Sequence, residues 1–277
     1  MKKPLEVGGS TNPGMSAMLR AVVAAAKLVA AEEIMPRYMK VAHQLKSDGS
    51  LCTDADIAAQ EALTRKLQAI LNVPVLGEEM NAAQQNDLWG DGHQDVWCID
   101  PIDGTSNFVR GLPYFAVSIA LIRNGLSVLG VVYDPVADEA FAAESGRGAF
   151  LNGVRMARRN VTNELSGALA NVDLKRLDSK LAARLASKPP YASQRNFGAS
   201  TLDWCYTAAG RYDVYLHGGQ KLWDYAAGSL VLQEAGGQAC CLELDDFARG
   251  DVWRRSVVAS LDAKLFEEWK NWLRTQH

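Results

Sequence analysis

The stretch Val96-Trp97-Cys98-Ile99-Asp100-Pro101-Ile102-Asp103-Gly104-Thr105-Ser106-Asn107-Phe108 decides how this chain is read. Its first four residues have the length and composition of a buried strand. They run into two carboxylates on one tight Pro turn, and a strand running into a turn is a favoured place for chemistry. Oxygen ligands of this kind suit a hard divalent ion such as Mg2+. Gly104 lets the backbone approach a ligand, and Thr105 or Ser106 can cap a helix. A helix N-terminus beside metal-binding carboxylates is well placed to hold a phosphate between its N–H groups and the cations. Phosphoester chemistry is therefore the leading idea. The chain has no G-x-S-x-G, no H-E-x-x-H, no P-loop and no strand-following G-x-G-x-x-G, so the rival chemistries lack their motifs.

Working outward toward the N-terminus, apolar residues recur at helical spacing from Met15 to about Lys46, with Pro36 as a kink or interruption. Ser47 to Ser50 is a turn cluster. Thr53 followed by Asp56 resembles a capping box, opening a second helix that runs through about Leu71. On this reading two helices precede any strand, and a short strand over Val73 to Leu76 leads into Gly77-Glu78-Glu79.

Toward the C-terminus, strand-like segments at 114–123, 126–133, 140–143 and 149–151 alternate with turn residues, which predicts an antiparallel meander. Past about residue 160 the pattern changes. Strands near 168–172, 193–196, 213–216 and 238–242 alternate with helices over 179–187, 201–209, 224–235 and 263–274. The change divides the chain into an α+β part over 1–160 and an α/β part over 161–277.

Asp100-Pro101-Ile102-Asp103-Gly104-Thr105 resembles the D-P-[IL]-D-G-T signature of the inositol monophosphatase family of Mg2+-dependent, lithium-sensitive phosphatases. Four further pieces agree in order: Lys46 with Thr53-Asp54-Ala55-Asp56, Gly77-Glu78-Glu79, Ala209-Gly210-Arg211 with Asp213, and Trp223-Asp224-Tyr225-Ala226-Ala227-Gly228. The resemblance covers about residues 15 to 275. It implies a layered αβαβα sandwich of the sugar-phosphatase type and a homodimer. Glu78, Asp100 and the Ile102 carbonyl would hold an activating Mg2+. Asp100, Asp103 and Asp224 would hold a second ion, which Li+ would displace, and Glu78 would reach a third through water. Thr105 paired with Asp56 would orient and help deprotonate the attacking water, and the Gly104 and Thr105 amides would bind phosphate. Lys46 would add positive charge or simply be solvated. Thr53 reads as a helix cap, Trp223 as a packing wall, and Arg211 with Asp213 as a structural pair. His93 and His277 receive no catalytic role.

Two departures bear on the substrate. Seven residues before Asp224, where relatives acting on inositol phosphates commonly carry a Glu that accepts from sugar hydroxyls, this chain has His217. A neutral imidazole offers one donor and one acceptor instead of several acceptor sites. Beside the substrate hydroxyls, Gly198-Ala199-Ser200 replaces the usual G-[ST]-A order. The metal set is complete while the specificity set is altered, so the expectation is a phosphomonoesterase acting on a small polyol or sugar phosphate. The alternatives are a histidinol-phosphate or 3′-phosphonucleotide phosphatase, or a regulatory partner of transcription machinery.

Composition agrees with a folded enzyme. The chain has 277 residues, 48% hydrophobic and 22% charged, too apolar for disorder. A net charge of −3 supplies no global basic field for nucleic acid. The stretch Ala21 to Ala31 is broken by Lys27 and is well short of the roughly 20 apolar residues a bilayer span needs. With no apolar run after the first lysines, the expected location is cytoplasmic. Five cysteines without metal spacing read as reduced thiols.

Overall fold

The structure is a computed structural model that describes residues 14–40, 43–45, 51–90, 94–157, 162 and 164–276. Helix α1 (Ala17–Val29) opens on the Ser16 hydroxyl, which accepts from Leu19 N. It continues through a wide π turn (Ala30–Ile34) into a tight 3-10 turn (Met35–Arg37) and stops there. The helix expected to reach Lys46 is therefore shorter. Pro36 lacks the N–H that would carry the ladder on and restricts the residue before it, and Lys46 lies outside the described residues. A second correction follows, because strands β1 (His43–Leu45) and β2 (Leu51–Thr53) pair antiparallel and precede the second helix. Helix α2 (Asp54–Ile70) then starts on the expected box: Thr53 Oγ1 accepts from Ala55 N, and Asp56 Oδ2 accepts from Thr53 N.

The first sheet has seven strands in sequence order: β3 (Val75–Gly77), β4 (Val96–Asp103), β5 (Ala116–Arg123), β6 (Leu126–Asp134), β7 (Glu139–Glu144), β8 (Gly148–Leu151) and β9 (Val154–Arg155). β3 is parallel to β4 and the remainder form the expected meander. The β5–β6 turn is Asn124-Gly125 with both φ positive, as a two-residue hairpin requires. Helices α3 (Ala82–Trp89) and α4 (Thr105–Arg110) flank β4, and α3 went unread because its polar Ala-Ala-Gln-Gln-Asn-Asp run shows no apolar period.

The second sheet orders β11 (Ser193–Arg195), β10 (Leu169–Asp173), β12 (Val214–Gln220), β14 (Arg255–Ser260) and β13 (Gln238–Cys240), with helices α5 (Ser179–Ser187), α6 (Ser200–Ala208), α7 (Leu222–Glu234) and α8 (Ala263–Arg274). β14 also escaped the sequence reading, masked by the basic Arg254-Arg255 beside it. β11, β10 and β12 run parallel, and β14 antiparallel between β12 and β13.

Each strand alternates its side chains between two cores. From β5, Val117, Ile119 and Leu121 pack with Leu19, Val22, Leu63 and Leu67 of α1 and α2, whereas Ala116, Ala120 and Ile122 pack with Leu230 and Val231 of α7. From β12, Tyr215 joins that same α6–α7 core while Val214 and Leu216 face Leu265 and Trp269 of α8. The layers are therefore α1/α2, first sheet, α6/α7, second sheet, α5/α8: the αβαβα sandwich. The middle helical layer requires small residues. A Cβ on Gly130 of β6 would lie 2.7 Å from Ala227 O, and one on Gly228 of α7 would lie 2.4 Å from Trp204 Cβ. Among the described residues no helix is long and apolar enough to cross a membrane.

Candidate active site

β4 does not stop at Ile99 but runs through Asp103 with an irregular register. Asp100 pairs with Ser118 and Asp103 with Ala116, so three steps on β4 match two on β5. The extra residue is a bulge, and Pro101, which cannot donate to a ladder, occupies it. In a regular strand residues three apart point to opposite faces. The bulge brings the Asp100 and Asp103 carboxylates together on one face.

The third carboxylate arrives from the second half of the chain. Asp224 is in the first turn of α7, where its Oδ2 accepts from Lys221 N at 2.8 Å and its N–H donates to Lys221 O. Ligand oxygens of Asp100, Asp103 and Asp224 all lie within 4.8 Å of one another. Glu78 follows β3, whose parallel pairing sets Gly77 opposite Ile99, and its N–H donates to Ile99 O. Its carboxyl group hydrogen-bonds Asp100. A Cβ on Gly77 would lie 2.1 Å from Gln60 Oε1, so a larger residue there would displace the amide that accepts from Glu79 N.

Burial and mutual repulsion dominate the electrostatics. Burial pushes the Asp100 carboxyl well above its ordinary range, and Glu78, Asp103 and Asp224 push it further. Asp224 rises for the same reasons. Asp103 rises only to about 6, because Thr201 donates both N–H and Oγ1–H to its Oδ2, at 2.6 and 2.7 Å. Four crowded carboxylates, all of them oxygen donors, fit a hard divalent cation.

Thr105 Oγ1 lies 3.0 Å from Ile102 O and 3.4 Å from Asp56 Oδ1, so its proton has two acceptors. Asp56 Oδ2 is fixed by Thr53 N and Oγ1 at 2.7 and 2.6 Å. Burial raises Asp56 to about 6 against those bonds. Gly104 has φ +90, and a Cβ there would meet Tyr114 O at 3.0 Å and Ala199 Cβ at 3.2 Å. Only glycine fits, and its close approach sets Ala199 against the α4 N-terminus. Asn107 Nδ2 ties that corner together, donating to Tyr114 O and Phe197 O at 2.7 Å each. The Gly104 N–H already faces the Asp103 carboxylate.

His217 ends up deeply buried at the edge of this region. Its Nδ1 accepts from Gly219 N at 3.1 Å and its Nε2 lies 3.4 Å from Asp173 Oδ2. Burial lowers its pKa to about 4, with the Asp173 charge opposing the fall. Of the other expectations, Thr53 is the cap and Trp223 is packed among buried residues against Trp253. Arg211, however, pairs with Glu139 and covers the Tyr206 ring, while Asp213 accepts from Leu169 N. The structural pair is thus Arg211–Glu139, which joins β7 to the segment after α6. His93 and His277 lie outside the described residues.

Sequence reading missed Thr201, Asp173 and Asp203. Thr201 follows Ser200 directly, and its signal was the hydroxyl displaced from its usual place in Gly198-Ala199-Ser200. Asp203 is buried, held near 8 by desolvation, and accepts from Tyr114 OH at 2.8 Å. Nothing in the one-dimensional pattern separates it from an ordinary helical aspartate.

With this geometry in view, the model of the inositol monophosphatase family matches residues 15–273. A Pasteurella multocida protein called Nus factor SuhB is 35% identical over 83% of this chain and 85% of its own length. A Caulobacter vibrioides inositol-1-monophosphatase is 33% identical over 78% and 84%. Among solved structures, the extragenic suppressor protein suhB of Bartonella henselae superposes with a TM-score of 0.80 at 29% identity, covering 94% of this chain and 99% of that one. A Thermotoga maritima IMPase gives 0.78 at 26% identity, covering 93% and 97%.

Proposed function

The chain belongs to the inositol monophosphatase family, and from that premise we propose that it hydrolyses a small polyol or sugar phosphate by direct attack of water. The observation that carries this reading is the convergence of the Asp100, Asp103 and Asp224 oxygens within 4.8 Å at the end of the first sheet. Glu78, Asp100 and Ile102 O would hold one Mg2+, and Asp100, Asp103 and Asp224 a second, with a third through water on Glu78. Bound Mg2+ supplies Lewis acidity at the phosphoryl oxygens and lowers the pKa of water.

The protein's own groups do the positioning. Asp56, ionised above about pH 6, accepts the Thr105 hydroxyl proton, which frees a Thr105 Oγ1 lone pair to accept from the attacking water. Thr53 keeps Asp56 in place by binding its other oxygen. The Thr105 N–H and, once Asp103 is engaged elsewhere, the Gly104 N–H bind phosphate oxygens at the start of α4. Thr201 holds one Asp103 oxygen so that the other stays directed at the cluster. Gly198, Ala199, Ser200 and His217 would form the alcohol side of the same pocket, and Lys46, outside the described residues, would add positive charge to the substrate's surroundings. A homodimer and lithium inhibition are part of the proposal through family membership.

The test is phosphate release from polyol, sugar, histidinol and nucleotide phosphates, with and without Mg2+ and Li+. Mg2+-dependent, lithium-sensitive release with a polyol or sugar phosphate as best substrate supports the reading, and no release from any ester with Mg2+ bound overturns it. A second reading, regulatory binding to transcription machinery, is favoured by relatives called Nus factors. It predicts a stable macromolecular partner retained by Asp100→Asn.

A further inference from the structure

Resting on that phosphatase reading, we propose that Asp203 is a positioning residue for phosphate binding: by holding the Tyr114 hydroxyl from the second half of the chain, it clamps the segment 111–115 onto the Gly104–Thr105 turn, where the reading places the phosphate. Asp203 is a buried carboxyl on α6 that the mechanism above does not use. Its Oδ1 accepts from Tyr114 OH at 2.8 Å, across 89 residues of sequence. Burial and the Asp203 charge raise the Tyr114 phenol, so its proton stays on and the hydroxyl donates. Burial likewise pushes Asp203 up to about 8, with Tyr114 and Asn171 opposing the rise and the Asp103 and Asp173 charges adding to it. A carboxyl in line with the buried Leu202, Trp204 and Cys205 is costly unless it is bonded, and Tyr114 supplies the bond.

The clamp reaches the turn through the Tyr114 backbone. Tyr114 O accepts from Asn107 Nδ2 at 2.7 Å and lies 3.0 Å from where a Gly104 Cβ would be, with Phe115 Cβ 3.2 Å from the same point. Asn107 N in turn donates to Gly104 O at 2.8 Å. The segment itself faces outward, since Gly111 ends α4 with φ +75 and Leu112 is 52% exposed. Tyr114 is its anchor, packed by the Phe197 and Tyr206 rings at 5.1 and 5.5 Å. Residues two apart on a helix face different ways, so the first turn of α6 grips the first half of the chain at two separate points: Thr201 takes Asp103 and Asp203 takes Tyr114. The first contact orients a metal ligand and the second backs the turn, which separates their effects on metal and on phosphate.

The experiment measures kcat and KM for inositol 1-phosphate and phenyl phosphate, Ki for inorganic phosphate, and the Mg2+ concentration for half-maximal activity. It compares the wild type, Tyr114→Phe, Asp203→Asn, Asp203→Leu and the double variant Tyr114→Phe/Asp203→Leu. Tyr114→Phe removes one hydroxyl and keeps the ring. It is expected to raise both KM values and Ki about three- to tenfold, the worth of one hydrogen bond, with kcat and the Mg2+ requirement within about twofold of wild type, as lost uniform binding dictates. Asp203→Asn keeps an oxygen for Tyr114 OH and should match wild type. Asp203→Leu should match Tyr114→Phe, and the double variant should be no worse than either, because one bond is shared. The proposal is overturned by unchanged KM and Ki in Tyr114→Phe, by an effect confined to one of two esters that wild type cleaves, or by an equal shift of the Mg2+ requirement. Asp203→Asn as damaging as Asp203→Leu, or additive losses in the double variant, overturns it too. Should Asp203→Leu fail to fold, the contrast between Tyr114→Phe and Asp203→Asn decides in its place. Cleavage of neither ester by the wild type would instead overturn the phosphatase reading, and cleavage with Tyr114→Phe unchanged would overturn this inference alone.

Discussion

The two sheets carry buried carboxylates in opposite electrostatic settings. At the end of the first sheet, carboxylates crowd together, all driven upward by burial and by one another. At the end of the second, one carboxylate is matched by one neutral imidazole with both ring nitrogens engaged. The first is incomplete without a cation and the second is complete without one. A buried charge cluster costs stability until a ligand neutralises it, so such a cluster is built to bind, whereas the imidazole beside Asp173 is held neutral by burial and needs no counter-ion.

The sharpest way to break this contrast is Asp100→Asn. Even groups behind a metal ligand cost about 10- to 100-fold when lost, so phosphate release should fall by at least about a hundredfold. Stability should move the other way. The metal-free variant should melt higher than metal-free wild type, since one of the repelling buried charges is gone. Its Mg2+ response should vanish, whereas wild type gains about 2.7 kcal/mol at a hundredfold excess over Kd. A lower Tm for metal-free Asp100→Asn would refute the repulsion argument. Thr201→Val should cost about 10- to 100-fold in the Mg2+ concentration needed for half-maximal activity, because Asp103 loses two donors to one oxygen; an unchanged Mg2+ titration would show that Thr201 does not orient it.

A smaller effect is expected in the layer that sets the distance between the two ends. Gly228→Ala drives a Cβ into the buried Trp204 and should destabilise by about 1–3 kcal/mol, read by denaturant titration. The pH dependence of the metal-free protein sharpens the contrast further. Asp56 and Asp103 ionise at about 6 against an ordinary 3.8, so between those values the folded protein holds more protons than the unfolded chain and stability falls as pH rises. His217 titrates at about 4 against an ordinary 6.5, so it contributes stability that rises with pH through nearly the same interval. A tenfold change in proton affinity on folding is worth about 1.4 kcal/mol, and the carboxylates outnumber the imidazole, so Tm should drop from pH 4 to 6.5 in chelator. His217→Gln should steepen that drop and saturating Mg2+ should abolish it; a flat profile without metal would contradict the ionisation assigned to these groups.

Much of this was legible in one dimension wherever a local rule acted alone. Thr53 with Asp56 announced the start of α2, Asn124-Gly125 the hairpin, and the apolar periods of α5 and α8 gave their limits. Reading failed where neighbours in space overruled local pattern. Leu51–Thr53 forms a strand because His43–Leu45 pairs with it. Arg211 chose Glu139 over the nearer Asp213 because the first sheet brought a carboxylate and the Tyr206 ring to it.

The sequence by itself determined the chemistry on offer: the Asp100-Pro101-Ile102-Asp103-Gly104-Thr105 run carries its donors, its bulge-forming proline and its permissive glycine within six residues. Tertiary structure alone decided that Asp224, 121 residues from Asp103 in the chain, completes the cluster, that Thr201 steers Asp103, and that Asp173 faces His217. The physical reason is range. Capping, turns and bulges act over a few residues and leave a trace in composition, whereas the burial and charge repulsion that raise these carboxylates exist only once separate layers have packed.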